Sequence, residues 1–367
     1  MKIIVAGTRG IPNIQGGVET HCEELYPRLV NLGCDVTLIR RSCYVSDNNK
    51  LSSYKNVKLK DIYATKLESL ETLIHTFLAV LYAKKHKADI LHIHAIGPAL
   101  MVPLARLLGI KVVMTNHGPD YDRQKWGKLA KSVLKIGEYL GSKFSDRIIV
   151  ISEVINNIIK QKYKRFDAYL IYNGVNTPIK STTTDYIQSL GLEREKYIFT
   201  LGRFVEEKGF DILIEAFSQL SCGDYKLVIA GDADHPSKYS DALKQLANEK
   251  GVILTGFIKG DILNELFSHA RLFVLPSFHE GLPIALLEAM SYDLDVLVSD
   301  IPANKSVNLS EDHYFETGDK EDLAKKMEKK MNSHCKSMKY DTKAYNWDKI
   351  SEQVYQLYSE LYTNSNQ

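Results

Sequence analysis

Two glutamates, Glu280 and Glu288, stand eight positions apart in Ser277-Phe-His-Glu280-Gly-Leu-Pro283-Ile-Ala-Leu-Leu-Glu288. The apolar run LFVL leads into this segment, and Pro283 stands where a first helical residue belongs. The spacing predicts strand, turn and helix, with free backbone N–H groups from about Leu282 to Ala285 that suit a phosphate. Eight residues of helix span about 12 Å, whereas the carboxyls of a retaining glycosidase stand about 5 Å apart. The two acids are therefore expected to bind different parts of one long ligand.

A second charged set, Gly202-Arg203-Phe-Val-Glu-Glu-Lys208-Gly209, follows the run YIFTL. Arg203 offers a forked guanidinium and Lys208 a point charge, a combination suited to a pyrophosphate that gains charge as it leaves. Near the start, Gly7-Thr-Arg-Gly10-Ile-Pro-Asn-Ile-Gln-Gly16-Gly17 departs from G-x-G-x-x-G, so a nicotinamide site is not supported. Gly16 and Gly17 instead open a helix whose backbone can approach an anion or a sugar. His117, in Asn116-His117-Gly118-Pro119, closes a predicted strand and is expected to face a cleft, within reach of sugar hydroxyls or a leaving phosphate.

Two patterns imitate metal sites. Asp232-Ala-Asp234 looks like an Asp-x-Asp cation site, but Arg203 and Lys208 already supply positive charge, so no metal is expected there. His92-x-His94 puts two imidazoles on one strand face. No third ligand is evident in the sequence, which makes them a structural pair.

The elements that must position these groups alternate between short β-rich runs and helical patterns, the signature of parallel sheets with crossover helices. The predicted strands of the first half are Ile3–Ala6, Val36–Ile39, Val57–Leu59, Ile90–His94, Val112–Thr115, Ile148–Ile151 and Tyr169–Tyr172. A polar, Thr-rich stretch at 176–185 reads as a linker, after which Tyr197–Leu201, Leu227–Ala230, Val252–Leu254, Leu272–Leu275 and Val296–Ser299 restart the pattern. The expected domains are 1–175 and 186–345, with a last helix at 346–367 returning to the first. Pro27 is expected to kink the helix that carries Val18, Cys22, Leu25 and Leu29 on one face. In such folds ligands gather at the carboxyl ends of the strands.

With 367 residues, 44% hydrophobic and 25% charged, the chain can build two cores. Its five cysteines are odd in number and scattered with no Cys-x-x-Cys pair, which argues against a disulfide framework or a zinc site and fits a reducing cytosol. MKIIVAG enters a strand at once, so no signal peptide is expected, and no run reaches the ~20 apolar residues needed to cross a bilayer. Residues 1–175 carry a net charge of about +11 and the remainder about −9. The helix at 125–140 would align Trp126, Leu129, Val133, Ile136 and Leu140, with Lys125, Lys128, Lys131 and Lys135 mostly off that face. This suits an interfacial helix on anionic lipid and equally a helix packed on its own sheet. No aromatic-and-basic module for nucleic acid is found.

These motifs, together with HIHAIGPAL, TNHGPDYDRQKWGK, VISE, YNGV and SDIPAN, resemble retaining glycosyltransferase family 4 over nearly the whole chain. The resemblance implies an α/β GT-B fold, two doubly wound Rossmann-like domains facing a deep cleft. By position it implies that Arg203 and Lys208 hold the donor diphosphate, Glu288 the ribose and Glu280 the donor sugar. The backbone of Gly281, Leu282, Pro283 and Ile284 would contact sugar and phosphate, and Gly16 and Gly17 would close over the diphosphate. His117 would face the reacting sugar, Phe257 would meet the base, and Asn173-Gly174 resembles the family's approach to its hinge. The implied reaction is retaining and metal-independent and uses no cofactor. It moves a hexosyl group from a UDP-linked donor to a glycan or polyprenyl-linked acceptor. HGPDYDRQKWGK and SDIPAN resemble a bacterial surface-polysaccharide branch, which implies a cytoplasmic enzyme at the inner face of the membrane. A nucleotide-sugar epimerase with the same cleft, or a non-catalytic nucleotide-sugar binder, are the alternatives.

Overall fold

The computed structural model describes residues 1–47, 49–65, 68–122, 127–220, 223–333 and 338–363. It divides into two compact units, Met1–Gly174 with Tyr345–Gln367, and Val175–Ala344. Cys222, Cys335, Lys125 and Trp126 lie outside the described residues.

The first unit carries β1 (Lys2–Ala6), β2 (Asp35–Arg41), β3 (Ser53–Tyr54), β4 (Val57–Ile62), β5 (Ile90–His94), β6 (Lys111–Asn116), β7 (Arg147–Val150) and β8 (Tyr169–Leu170). They form one sheet in the order β3-β4-β2-β1-β5-β6-β7-β8, parallel except for the β3–β4 pair. From β1 the chain works outwards to one edge, then returns beside β1 and works towards the other. The strand order therefore reverses between β1 and β5, the position at which folds of this kind place ligands.

The second unit repeats the plan with β9 (Tyr197–Leu201), β10 (Lys226–Ala230), β11 (Ile253–Gly256), β12 (Leu272–Leu275), β13 (Val296–Ser299) and β14 (Tyr314–Phe315). Its order, β11-β10-β9-β12-β13-β14, reverses between β9 and β12. Continuous apolar runs make these strands because helices cover both faces: LFVL and VLVS are buried at every position.

The strands differ from the sequence reading mainly at their ends. β7 begins and ends one residue earlier than expected, β8 stops at Leu170, and β11 lies at 253–256 rather than 252–254. β3 and β14 were not expected, because two residues are too few to display a period. Pro27 sits buried inside the helix Gly17–Asn31 without ending it. The stretch 176–184 is irregular, and Asp185 already begins a helix. That stretch is bound to the second unit: Lys180 pairs with Asp293, the Ser181 N–H donates to Ser268 Oγ, and Thr183 Oγ1 donates to Glu265.

The helix Trp347–Thr363 completes the first unit's core. Trp347, Ile350, Val354, Leu357, Tyr358 and Leu361 are buried with Cys22, Leu25, Tyr26 and Leu29 of the helix Gly17–Asn31. Arg28 and Asp348 add an exposed ion pair at 3.0 Å. At Gly174 an added Cβ would lie 2.4 Å from the Trp347 ring, so only a bare backbone fits there. Gly174→Ala should therefore destabilise the first unit by about 1–3 kcal/mol through overpacking. The check is a lower urea midpoint at unchanged slope.

Candidate active site

In the second unit, the loops after β9 and β12 meet at the reversal point. The Phe278 N–H donates to the Glu207 carbonyl at 2.8 Å. Gly209 has φ 62°, and a Cβ there would stand 2.4 Å from the Pro276 carbonyl oxygen, so the left-handed turn and the close approach both demand glycine. This junction places Lys208 Nζ 2.5 Å from Glu280 Oε1, which also accepts from Ser277 Oγ at 2.7 Å. Burial pushes the Glu280 carboxyl up, but the Lys208 charge and the hydrogen bonds from Lys208 and Ser277 outweigh it and leave it below its ordinary value.

A further layer fixes Ser277. Ser299 Oγ at the end of β13 donates to the Ser277 carbonyl, and Asn304 Nδ2 donates to the Ser299 carbonyl at 2.9 Å. That is the role of the SDIPAN segment, which the sequence reading gave no physical task.

Arg203 follows β9 and pairs with Asp234 at 2.9 Å, and Lys244 pairs with Asp232 at 2.7 Å. Both carboxylates of the Asp-x-Asp pattern thus hold cations. The helix Ile284–Ser291 begins one residue later than expected, with Pro283 as its N-cap, and no side chain caps it. The Leu286 and Leu287 N–H groups already donate to the Pro283 carbonyl, so the seat for an anion lies earlier, near Leu282 to Ala285. Leu282, Pro283 and Ile284 are buried, and Gly281 and Glu288 are half-buried. Phe257 is exposed just after β11, whose Gly256 carbonyl accepts from the Gly231 N–H at 2.7 Å.

In the first unit, Gly16 is the N-cap of the helix Gly17–Asn31, again without a side-chain cap. Glu19, which the sequence reading passed over, ties the glycine loop down. Its Oε1 accepts from Thr8 Oγ1 and the Arg9 N–H, and its Oε2 pairs with Arg9 at 3.3 Å. A signal for it existed: an acid in the first turn of a helix.

His117 follows β6 and is half-buried, but it does not stand alone. Its Nε2 lies 2.9 Å from His94 Nδ1. His94 Nε2 and His92 Nδ1 share the Tyr26 hydroxyl, Tyr358 meets His92 Nδ1, and His92 Nε2 lies 2.7 Å from Thr115 Oγ1. His21 Nδ1 bonds Asn173 Oδ1 at 3.0 Å. Burial first, and neighbouring imidazoles second, hold His21, His92 and His117 down at about 3 and push His94 well below its ordinary value. The four rings are neutral at pH 7. The expectation that no third ligand joins the His92-x-His94 pair is corrected in space: His21, His94 and His117 bring a nitrogen each within 4.8 Å of one another, while His92 is taken up by its own partners.

The helix Lys128–Phe144 turns its glycines inward. A Cβ at Gly137 would strike the Ile96 carbonyl and one at Gly141 the Met114 sulfur. The adjoining stripe is turned outward, with Leu129 81% and Ile136 52% exposed and Val133 and Leu140 half-buried.

Residues 15–178 match the model described as Glycosyltransferase Family 4, and residues 182–347 match Glycosyl transferases group 1. The chain is a family 4-like glycosyltransferase of GT-B fold. The glycosyltransferase is 28% identical over 325 residues to a UDP-Gal:alpha-D-GlcNAc-diphosphoundecaprenol alpha-1,3-galactosyltransferase of Escherichia coli, covering 83% of this chain and 81% of that one. Its fold superimposes on sucrose-phosphate synthase from Thermosynechococcus elongatus with a TM-score of 0.84 at 20% identity, covering 99% of both chains. The Anabaena protein HepE in complex with UDP and glucose gives 0.80 at 17% identity, over 98% of this chain and 100% of that one.

The neutral imidazoles have a consequence for acid stability. Below about pH 6.5 the unfolded chain takes up protons that the folded chain refuses until about pH 3, so stability falls as pH falls through that window. Thermal unfolding followed from pH 7 to pH 4 should show a steady loss. A flat profile would mean that the rings are charged or exposed in the folded state.

Proposed function

We propose that the enzyme catalyses a retaining, metal-independent transfer of a hexosyl group from a UDP-linked donor to a glycan or polyprenyl-linked acceptor in surface-polysaccharide assembly. The observation that carries this reading is the junction at the reversal point of the second sheet. Arg203, Lys208 and an uncapped helix terminus there offer charge and N–H groups to a leaving diphosphate. Asp234 and Glu280 hold the two cations in place before the donor arrives, so the diphosphate exchanges one set of anionic oxygens for another rather than ordering free side chains. Glu280 then turns to the donor sugar and Glu288 to the ribose, while Phe257 meets the base.

In the first unit, His117 contacts the transferred sugar as a neutral hydrogen-bonding group, since its ring carries no charge at working pH. With no carboxylate assigned as nucleophile, the leaving phosphate takes the acceptor's proton on the same face of the sugar. The E. coli relative's name, with its UDP-galactose donor and diphosphoundecaprenol acceptor, supports the choice of donor and acceptor class.

We place the enzyme at the inner face of the cell membrane. Among the described residues no helix is long and apolar enough to cross a membrane. The outward Leu129 and Ile136, flanked by Lys128, Lys131 and Lys135, suit contact with anionic lipid instead.

Transfer from a UDP-hexose to a polyprenyl-diphosphate sugar should give a product that keeps the donor's anomeric configuration. Lys208→Ala should lower turnover at least about tenfold, because the lost charge acts most strongly at the transition state. An inverted product, or unchanged turnover, overturns the reading. Separately, liposomes containing anionic lipid should sediment the protein, and Lys128→Glu with Lys131→Glu should abolish this. Binding insensitive to salt and to both substitutions would remove the membrane assignment.

A further inference from the structure

We propose that His21, His94 and His117 form a site for a late first-row divalent cation, of the zinc class, within the first unit. The three residues come from separate elements: the helix Gly17–Asn31, the end of β5 and the loop after β6. One nitrogen from each lies within 4.8 Å of the others. The set contains imidazole alone, without a carboxylate or thiolate. That chemistry selects zinc, nickel or copper and disfavours magnesium and calcium, which take oxygen ligands.

The outer partners are those a metal-binding imidazole uses. Asn173 Oδ1 accepts from His21 Nδ1, which fixes the proton there and leaves a lone pair on Nε2. Tyr26 occupies His94 Nε2, leaving Nδ1 to face His117. Among the described residues, neither His21 Nε2 nor His117 Nδ1 makes a hydrogen bond. His92 serves the next layer, since both of its nitrogens are bonded to hydroxyls.

Zinc–nitrogen bonds of about 2.0–2.1 Å in a tetrahedron set ligand nitrogens about 3.3 Å apart. His94 Nδ1 and His117 Nε2, now 2.9 Å apart, would separate slightly and give up one hydrogen bond. The wider spacings would close by ring rotation, which the half-buried His117 can supply. Three protein ligands leave a fourth position for water, on the side where His117 reaches the surface. Occupancy would take a lone pair from His117, so the cation acts as an inhibitor of sugar contact and not as a participant in transfer. The site itself stands whatever the enzyme transfers.

The test is titration of chelator-treated, full-length protein with Co²⁺, read by its visible absorption, followed by displacement with Zn²⁺. The expected result is one equivalent bound with the bands of low-coordinate Co²⁺. His21→Asn and His117→Asn should each weaken binding at least about tenfold. His86→Gln, elsewhere in the first unit, should leave it intact. His117→Asn keeps the test open should the buried His21 variant fail to fold. No stoichiometric binding overturns the site, and so does binding that survives His117→Asn, which would mark a surface cation.

Discussion

A single backbone hydrogen bond, from the Phe278 N–H to the Glu207 carbonyl, joins the loops that leave two neighbouring strands at the reversal point of the second sheet. Lys208 and Glu280 can form a close, largely buried pair only because their loops are locked together by that bond and by the close contact of Gly209 with Pro276. A buried ion pair repays its desolvation only when its geometry is held and its spare lone pairs are used. Ser277 uses one, and Ser299 and Asn304 hold Ser277 from behind. Lys208 and Glu280 are therefore set in a packed, hydrogen-bonded corner and are not mobile surface charges.

The first unit meets the same topological problem with different materials. Its loop after β1 is held by the buried carboxylate of Glu19, and the ends of β5 and β6 carry a connected set of imidazoles and hydroxyls. Ion pairs brace the loops of both units, Lys208–Glu280 in the second and Arg9–Glu19 in the first, and the first adds neutral imidazoles at the ends of β5 and β6.

Most of the fold was legible because buried parallel strands announce themselves as unbroken apolar runs: β5, β9, β12 and β13 match their expected bounds residue for residue. What escaped was too short to show a pattern, as in β3 and β14, or depended on contacts across the chain. The placements of Arg203, Lys208 and Glu280 at adjacent strand ends were readable, because each follows a strand in one domain. Their pairing with Asp234 and with one another was not, since no local spacing encodes it. His21 was invisible as a member of the imidazole group for the same reason: it lies more than seventy residues from His94 in sequence and one ring away in space. The helix Lys128–Phe144 carries a subtler lesson. Its apolar positions fit either an inward or an outward face, and the small residues Gly137 and Gly141, four apart, were the sign that decides between them.

The C-terminal helix has a bearing on biosynthesis. The first unit's core includes Trp347, Ile350, Val354 and Leu357, yet these are made after the whole of the second unit. The second unit, by contrast, is encoded as one uninterrupted stretch, and domains generally fold as units. The nascent chain thus carries a first half whose Tyr26 and Leu29 faces stay uncovered while the second unit is made. That half is where a chaperone would be expected to engage, and a chain truncated before Trp347 would leave it open.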